Sequence, residues 1–219
     1  MKVVEIFTSI DGEGKRTGLP TTFVRLFGCN LNCSFCDTRY GCEGNDYTEM
    51  EVFEIVEAVR AQGVKSVTIT GGEPLIHDGI NDLLHALGEA GFDINVETNG
   101  TCEPEVFADN IFYTMDYKCG ASGMSEKMNK KAFAKLGNMD VVKFVVGSIE
   151  DLEQVKKVIA ELSRWYYPLT ETPQFYISPV FGMIEPKDIV GYVIKNEMYD
   201  CRVQVQLHKI IWKPDERGV

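Results

Sequence analysis

Residues 22–38 read TFVRLFGCNLNCSFCDT, which is a strand-like run followed at once by a loop that carries three cysteines. The run Thr22–Phe27 is rich in β-branched and aromatic residues and therefore predicts a buried β-strand. Cys29, Cys33 and Cys36 in the loop have the spacing C-x3-C-x2-C. In α/β proteins the polar loops that follow the strands gather at one end of the sheet, so we expect this loop to form part of a site.

Three clustered thiols indicate a bound metal rather than a disulfide framework, because the chain has seven cysteines, an odd number, and no secretion signal. A structural zinc site takes four ligands, commonly as two separated pairs, and this sequence offers no second pair. Three thiolates from one loop favour a 4Fe–4S cluster whose fourth iron is open to an exogenous ligand. A zinc site completed by Cys42 is the alternative. Otherwise Cys42, Cys102, Cys119 and Cys201 are expected to be single packing or surface thiols.

The composition suits one packed domain. The chain has 219 residues, of which 44% are hydrophobic and 25% charged, and this excludes disordered and collagen-like chains. A net charge of −11 disfavours nucleic acid or an anionic membrane as a partner. The sequence shows no membrane span and no hydrophobic region of a signal peptide. We therefore expect a cytoplasmic protein that acts on a small molecule.

Strand-like and helix-like segments alternate along the chain. The predicted strands are Val3–Thr8, Thr22–Phe27, Ser66–Thr70, Ile94–Glu97, Ile111–Met115, Val141–Val146, Gln174–Ile177 and Val203–Leu207. The predicted helices are Glu49–Arg60, Gly79–Ala90, Lys130–Lys135, Asp151–Leu162 and Pro186–Asn196. Several strands are continuously apolar, which favours a parallel sheet covered by helices. Because a closed eight-stranded barrel takes about 250 residues, we predict an α/β fold with an incomplete, shortened TIM-like barrel.

A second motif, Thr70-Gly71-Gly72-Glu73-Pro74, follows the next predicted strand, one βα unit after the cysteine loop. With this segment in place, the chain resembles the radical S-adenosylmethionine (SAM) superfamily, which has a three-cysteine loop and a Gly-Gly-Glu segment in this order. The resemblance implies that Cys29, Cys33 and Cys36 hold a 4Fe–4S cluster and that the Gly-Gly-Glu segment binds the amino group of SAM. Glycines allow close backbone approach, and a carboxylate pairs with an ammonium.

A narrower resemblance covers nearly the whole chain through motifs that occur in a fixed order. They are Ile10-Asp11-Gly12-Glu13-Gly14, Phe23-Val24-Arg25, Cys36-Asp37-Thr38, Glu97-Thr98-Asn99-Gly100, and a C-terminal motif that begins Gln206-Leu207-His208-Lys209 and ends Arg217-Gly218-Val219. Together they resemble the 7-carboxy-7-deazaguanine synthase family of queuosine biosynthesis, in its clostridial-type form. The resemblance implies a radical lyase that acts on a 2-amino-4-oxopyrimidine-fused base, requires Mg²⁺ besides the cluster and SAM, and works as a homodimer.

The resemblance also implies a role for each site residue. The SAM-binding residues would be Phe35, Gly71, Gly72, Glu73, Asp116, Lys118 and Ser178. The substrate-binding residues would be Ile10, Asp11, Gly12, Glu13, Arg25, Thr70, His208 and the carboxylate of Val219. Thr38 would bind Mg²⁺ through its hydroxyl, which is a hard oxygen ligand. We expect a single radical SAM domain over residues 1–219, with a C-terminal segment of about 203–219 that caps the substrate.

The substrate has two candidates at this point. Many synthases have glutamine at the position of Asp11 and Ser-Pro-Lys at Asp116–Lys118. The synthase substrate, 6-carboxytetrahydropterin, is an anion, which extra carboxylates disfavour unless Mg²⁺ or Arg25 offsets them. Queuine lyase, a related radical SAM enzyme, acts on a cationic 7-deazaguanine base and is the main alternative. A glycyl-radical activase does not explain the C-terminal motif, and an iron–sulfur carrier does not explain Gly-Gly-Glu-Pro. An electron donor such as flavodoxin or ferredoxin is the expected protein partner.

Overall fold

A computed structural model describes residues 1–166, 172–213 and 216–219. These residues contain nine strands and six α-helices. The strands are β1 (Lys2–Ile10), β2 (Pro20–Leu26), β3 (Thr48–Glu49), β4 (Ser66–Gly71), β5 (Asp93–Thr98), β6 (Ile111–Lys118), β7 (Val141–Val146), β8 (Gln174–Pro179) and β9 (Cys201–Val203). The helices are α1 (Val52–Ala61), α2 (Ile80–Glu89), α3 (Lys130–Phe133), α4 (Ile149–Tyr166), α5 (Pro186–Lys195) and α6 (His208–Ile211).

The strands form one sheet in the order β3-β1-β2-β4-β5-β6-β7-β8-β9. From β2 to β9 every neighbouring pair is parallel. β1 pairs antiparallel with both β2 and β3. Because β3 and β9 lie at opposite ends of this order, the sheet is open. The prediction of an α/β fold with an incomplete barrel is confirmed.

The two faces of the central strands differ in chemistry, although both are buried. In β4, Val67 and Ile69 belong to the apolar core, whereas Thr68 and Thr70 alternate with them and point to the opposite face. The same alternation gives the inner face its other polar residues, which are Asn95 and Glu97 in β5, Thr114 and Asp116 in β6, and Lys143 in β7. The concave side of the sheet is therefore a polar interior rather than a second hydrophobic core.

Amphipathic helices cover the outer face. In α1, Ile55, Val56 and Val59 are buried at helical spacing. The helix begins with a capping box, in which the side chain of Glu54 accepts a hydrogen bond from the N–H of Glu51 at 2.8 Å. No helix in the described part of the chain is long and apolar enough to cross a bilayer.

The C-terminal strand differs from the prediction. We expected a strand over Val203–Leu207, but β9 ends at Val203 and α6 begins at His208. The N–H of Leu207 donates to the carbonyl of Gly12 at 2.8 Å, and the side chain of Gln204 bonds to both backbone groups of Gly14 at 2.9 Å. These bonds turn the backbone away from β8, so the segment joins the site instead of the sheet.

Candidate active site

The cysteine loop begins directly after β2, at the carboxyl end of the parallel strands. Gly28 opens the loop with a φ of 101°, which glycine adopts without strain. Its N–H donates to the carbonyl of Gly41 at 2.8 Å, so the loop folds back on itself. Cys29, Cys33 and Cys36 line one cavity at this end of the sheet.

Cys42, which was either the fourth ligand of the zinc alternative or a packing or surface thiol, lies beside two of the loop cysteines. Its thiol donates a hydrogen bond to the Thr38 carbonyl at 3.7 Å. The nearness of this protonated thiol lowers the pKa of Cys29 and of Cys36 to about 6, and the pKa of Cys42 is raised in return. Burial raises the pKa of Cys33. The thiolate is the metal-binding form of cysteine, and the lowered pKa of Cys29 and Cys36 favours that form.

The donor set of the loop fits an iron–sulfur cluster. Within residues 1–166, 172–213 and 216–219, no group of three or more histidine, cysteine or carboxylate side chains is already arranged to hold a single metal ion. Three thiols from one loop, all facing the same cavity, are the ligands that a 4Fe–4S cluster takes from a protein.

Gly71 and Gly72, at the end of β4, pack directly against the cysteine loop. A Cβ atom on Gly72 would lie 2.1 Å from the carbonyl oxygen of Gly28, and one on Gly71 would lie 2.2 Å from that of Leu26. Both distances are far below van der Waals contact, so a side chain would push the two segments apart. The N–H of Glu73 also donates to the Gly28 carbonyl, at 2.8 Å. The absence of side chains at Gly71 and Gly72 thus lets the end of β4, which the resemblance assigns to SAM, pack against the start of the loop that it assigns to the cluster.

The carboxylate of Glu73 does not line the cavity, in contrast to its expected contact with SAM. It is fully buried and accepts hydrogen bonds from the Thr98 hydroxyl at 2.6 Å and from the N–H groups of Asn99 at 2.6 Å and Leu75 at 2.9 Å. Burial raises the pKa of Glu73 to about 7, although these three bonds favour the ionised form. Both oxygens are occupied within the protein, so Glu73 here braces β5 against the end of β4.

A cavity of about 800 Å³ brings most of the predicted site residues together. Those that line it are Ile10, Gly12, Glu13, Arg25, Cys29, Cys33, Phe35, Cys36, Thr38, Thr70, Gly71, Gly72, Asp116, Lys118, His208 and Val219. Ligand pockets commonly measure about 300–1,000 Å³, so the space suits SAM together with a small fused base.

Asp11 and Ser178 are buried in the protein instead of lining the cavity. Asp11 is 1% exposed, and its two oxygens accept hydrogen bonds from Nε of Arg16 at 2.9 Å and from the Thr68 hydroxyl at 3.0 Å. Burial raises the pKa of Asp11, and Arg16 partly offsets this effect. Asp11 is therefore not free to accept the donor pair of a substrate base. The hydroxyl of Ser178 is buried without a partner among the described residues.

Lys143 in β7 is a cavity residue that sequence reasoning missed. Its ammonium lies 2.8 Å from Oε1 of Glu13 and 3.1 Å from Oδ1 of Asp116, and Lys118 lies 2.8 Å from Oδ2 of Asp116. Burial alone would lower the pKa of Lys143, but the carboxylates of Asp116 and Glu13 raise it well above its ordinary value. Lys143 is therefore a permanent cation at the base of the cavity.

Glu97 in β5 also lines the cavity and accepts a hydrogen bond from the Thr70 hydroxyl at 2.9 Å. Burial raises the pKa of this carboxyl. Glu97 and Lys143 had a signal in the sequence. Lys143 is the single charged residue of an otherwise apolar strand, and Glu97 begins the Glu97-Thr98-Asn99-Gly100 motif. A buried charge requires a partner or a function.

The C-terminal segment lines one side of the cavity. The ring of His208 packs so closely on Gly12 that a Cβ atom there would lie 1.9 Å from Nδ1. Burial lowers the pKa of His208. Val219 also reaches the cavity. The segment and the loop around Gly12 therefore close the cavity together.

Asp37 and Thr38 place two side-chain oxygen groups that can bind a metal ion next to the cysteine loop. The Thr38 hydroxyl donates to Oδ1 of Asp37 at 3.0 Å, and Nζ of Lys209 lies 2.7 Å from Oδ2. Burial alone would raise the pKa of Asp37, but Lys209 outweighs it and lowers the pKa to about 2. An ionised carboxylate and a hydroxyl are hard oxygen groups of the kind that Mg²⁺ prefers.

Comparison with known sequence families places the chain in a class. The profile of the Radical SAM superfamily matches residues 24–164, which include the cysteine loop and the glycine pair. The chain therefore belongs to the radical SAM superfamily. Its cofactors are accordingly a 4Fe–4S cluster and SAM, as predicted, and the zinc alternative is set aside.

Within this superfamily the similarity is specific. A 7-carboxy-7-deazaguanine synthase from Clostridium acetobutylicum is 44% identical, over 100% of this chain and 99% of the relative. Another from Methanospirillum hungatei is 40% identical, over 98% of this chain and 86% of the relative. At this identity and coverage the chain belongs to the 7-carboxy-7-deazaguanine synthase family. The queuine lyase alternative is not favoured, because these relatives carry the synthase name.

Solved structures agree on the fold. QueE from Escherichia coli superposes with a TM-score of 0.76 at 24% identity, over 94% of this chain and 93% of that one. SuiB from Streptococcus suis, bound to S-adenosylmethionine, has a TM-score of 0.53 at 15% identity, over 84% of this chain and 51% of that one. Both share the partial barrel with this chain.

Proposed function

We propose that the chain converts 6-carboxytetrahydropterin to 7-carboxy-7-deazaguanine with loss of ammonia. The observation that carries this proposal is the similarity to a synthase of that name over the full length of the chain, at 44% identity. Product and substrate differ by one ammonia, so the conversion needs no net oxidant. A hydrogen atom removed from the substrate at the start can be returned at the end, and SAM then acts catalytically.

The residues of the loop and of the strand ends would hold the two cofactors. The cluster ligands would be Cys29, Cys33 and Cys36, and the SAM contacts would be Phe35, Gly71, Gly72, Asp116 and Lys118. When bound, the cluster and SAM supply the 5′-deoxyadenosyl radical that abstracts hydrogen from the substrate. The part of the protein is to place the substrate against that radical, and the cavity brings the residues for both cofactors and for the substrate to one place.

The cavity presents acceptors for the substrate base. A 2-amino-4-oxopyrimidine edge carries a fixed row of donors and acceptors, and burying that row requires matched partners. Glu97, Thr70 and the carboxylate of Val219 are among the acceptor groups that line the cavity. They replace Asp11, which is bonded to Arg16. The remaining proposed contacts are Ile10, Gly12, Glu13 and His208.

The substrate carboxylate needs a positive partner. Arg25 lines the cavity and has a fork of N–H donors that matches a carboxylate in bidentate fashion. Mg²⁺ at Thr38 and Asp37 would neutralise the same anion. Because Mg²⁺ retains several waters, one or two protein oxygens are sufficient to hold it.

The remaining features of the proposal concern assembly. The contacts of the C-terminal segment with Gly12 and Asp37 support a single domain over residues 1–219 in which residues of about 203–219 cap the substrate. A homodimer and a flavodoxin or ferredoxin as electron donor complete the proposal, on the basis of the family resemblance.

The decisive experiment supplies both candidate substrates to the anaerobically reconstituted enzyme with SAM and dithionite. We expect 6-carboxytetrahydropterin to lose ammonia, giving 7-carboxy-7-deazaguanine, and queuine to remain unchanged, with products identified by mass. Cys33→Ala should abolish conversion, whereas Cys201→Ala, in a strand remote from the loop, should not. Turnover of queuine alone would refute the proposal, and turnover of neither base beside normal SAM cleavage would show that the substrate is another molecule.

A further inference from the structure

Tyr40 contacts two arginines that line the cavity, and the proposed mechanism gives it no role. It lies in the turn after the cysteine loop and is half-buried. The centre of its ring lies 3.8 Å from the guanidinium carbon of Arg217 and 5.8 Å from that of Arg25. A cation within about 6 Å of the centre of an aromatic ring is attracted to its face. The ring of Tyr40 thus contacts the guanidinium groups of both Arg25 and Arg217.

The hydroxyl of Tyr40 acts on Arg25 through a carboxylate. Glu5 lies opposite Arg25 in the antiparallel pair of β1 and β2. Oε1 of Glu5 accepts hydrogen bonds from Nε of Arg25 at 2.7 Å and from the Tyr40 hydroxyl at 2.8 Å. A phenol hydroxyl carries its proton at neutral pH, so Tyr40 is the donor in this bond. The Tyr40 hydroxyl and the Arg25 guanidinium therefore share one carboxylate oxygen of Glu5.

The bond at Nε leaves the outer edge of the Arg25 guanidinium available. Among the hydrogen bonds of the described residues, Nη1 and Nη2 of Arg25 take part in none. The side chain is 15% exposed and lines the cavity. A guanidinium held at Nε and open at its two Nη groups is set up for bidentate binding of a carboxylate.

The ring of Tyr40 acts on the C-terminal segment. Arg217 stacks on this ring and is separated from Val219 by a single glycine. Arg217 is otherwise exposed, so the ring of Tyr40 is a contact between the described end of this segment and the turn after the cysteine loop.

We infer that Tyr40 is a positioning residue with two functions: its hydroxyl orients Arg25 toward the substrate carboxylate through Glu5, and its ring holds Arg217 so that the C-terminal segment stays closed over the base. The inference rests on the proposed function, because the substrate carboxylate is the partner assigned to Arg25. Orientation of the anion-binding group and closure of the segment are thereby linked through one side chain.

The first test separates the hydroxyl from the ring. Dissociation constants are measured for 6-carboxypterin and for pterin, two oxidised bases that differ only in the carboxylate, on cluster-loaded enzyme with SAM and without reductant. Tyr40→Phe should weaken the binding of 6-carboxypterin about tenfold, since a hydrogen bond to a charged group is lost. Its affinity for pterin should equal that of the wild type. Iron content and melting temperature are measured on the same samples.

The second test follows the C-terminal segment by the rate at which carboxypeptidase releases its last residues. Arg217→Gln and Tyr40→Leu should each speed release by roughly threefold, the effect expected when one cation–π contact is lost. Tyr40→Phe keeps the ring and should be trimmed at the wild-type rate. Arg202→Gln is the matched control, because it removes a similar contact, 5.4 Å from the ring of Tyr176 on β8.

Each outcome decides a specific point. Equal weakening of both bases by Tyr40→Phe, or no weakening at all, would overturn the role of the hydroxyl. Release rates that do not respond to Tyr40→Leu would overturn the role of the ring. An enzyme that converts 6-carboxytetrahydropterin while Tyr40→Phe binds normally would refute this inference and leave the proposed function intact. A wild-type enzyme that fails to convert that substrate would refute both.

Discussion

The ammonium of Lys143 lies 2.8 Å from Oε1 of Glu13, although 130 positions separate these two residues in the sequence. Lys143 is also 3.1 Å from Asp116, and its side chain is 6% exposed. A buried cation is tolerated only when carboxylates compensate its charge. The pair therefore links the loop after β1 to β7 across the interior of the sheet.

Lys143→Met should be strongly destabilising, because it leaves Glu13 buried without its cation and Asp116 paired with Lys118 alone. We expect the free energy of unfolding to fall by about 3–5 kcal/mol, measured by denaturant titration. Lys187→Met, at an exposed position on α5, should change it by less than about 0.5 kcal/mol. Adding Glu13→Gln to Lys143→Met should restore part of the loss. Equal stability of the two single lysine variants would contradict this account.

Cys42→Ala should retain the full cluster despite the position of Cys42 beside Cys29 and Cys36. Three thiolates are sufficient for a cluster with one open iron, so anaerobic reconstitution should still give about four irons per chain. Cys29→Ala should lose the cluster. The cluster content of each variant is measured by iron and sulfide analysis and by the visible absorption spectrum. Loss of iron in the Cys42 variant would mean that the ligand assignment is wrong.

Thr38→Ala should raise the requirement for Mg²⁺ while the iron content stays the same. The hydroxyl is one of few oxygen donors near the proposed position of the substrate carboxylate, and Mg²⁺ binds through few protein ligands. We expect turnover by the wild type to fall on chelation and to return with added Mg²⁺, and the variant to need about tenfold more of it. Thr38→Ser keeps the hydroxyl and is the control. Turnover that is indifferent to divalent metal would leave Thr38 as a turn residue.

Stability should depend on pH through Glu73. Burial raises the pKa of this carboxyl from 4.5 to about 7 in the folded protein, which therefore holds the proton more tightly than the unfolded chain does. The stabilisation is complete below the unfolded value and is lost as the pH rises through the folded value. Relative to Glu73→Gln, which mimics the neutral form, the wild type should lose about 3 kcal/mol between about pH 4.5 and 7.5. The free energy of unfolding is measured against pH for both proteins, with the cluster bound and without SAM. Parallel curves for the wild type and Glu73→Gln would refute the raised pKa of Glu73.

Local sequence was sufficient for most of the fold. The strand predicted over Val141–Val146 has the same bounds in the structure, because its four valines and one phenylalanine all favour a strand. The cysteine loop and the glycine pair were assigned through motif spacing. The structure adds the reason for the glycines, which is the close approach of Gly72 to the carbonyl of Gly28.

The features of the site that the sequence did not reveal arise from contacts between segments distant in sequence. Asp11 was expected to face the substrate, but Arg16 ties it to the protein, and Arg16 is itself held by the carbonyls of Val67 and Asp93, each at 2.9 Å. That arrangement exists only once β4 and β5 are side by side. Lys143 differs from Asp11, because no sequence motif marks it and only the pairing of β7 with β6 brings it next to Asp116.

The close contact between Gly72 and Gly28 also has a consequence for the order of events after synthesis. The cysteine loop takes its shape against the end of β4, and β2 and β4 pair in parallel only after the intervening chain, including α1, has crossed over. In such a pairing the chain loses the entropy of closing the loop before the contacts between the two strands can form. We therefore expect iron to enter a half-barrel that has already folded, and cells short of iron to accumulate a folded apoprotein rather than an unfolded chain.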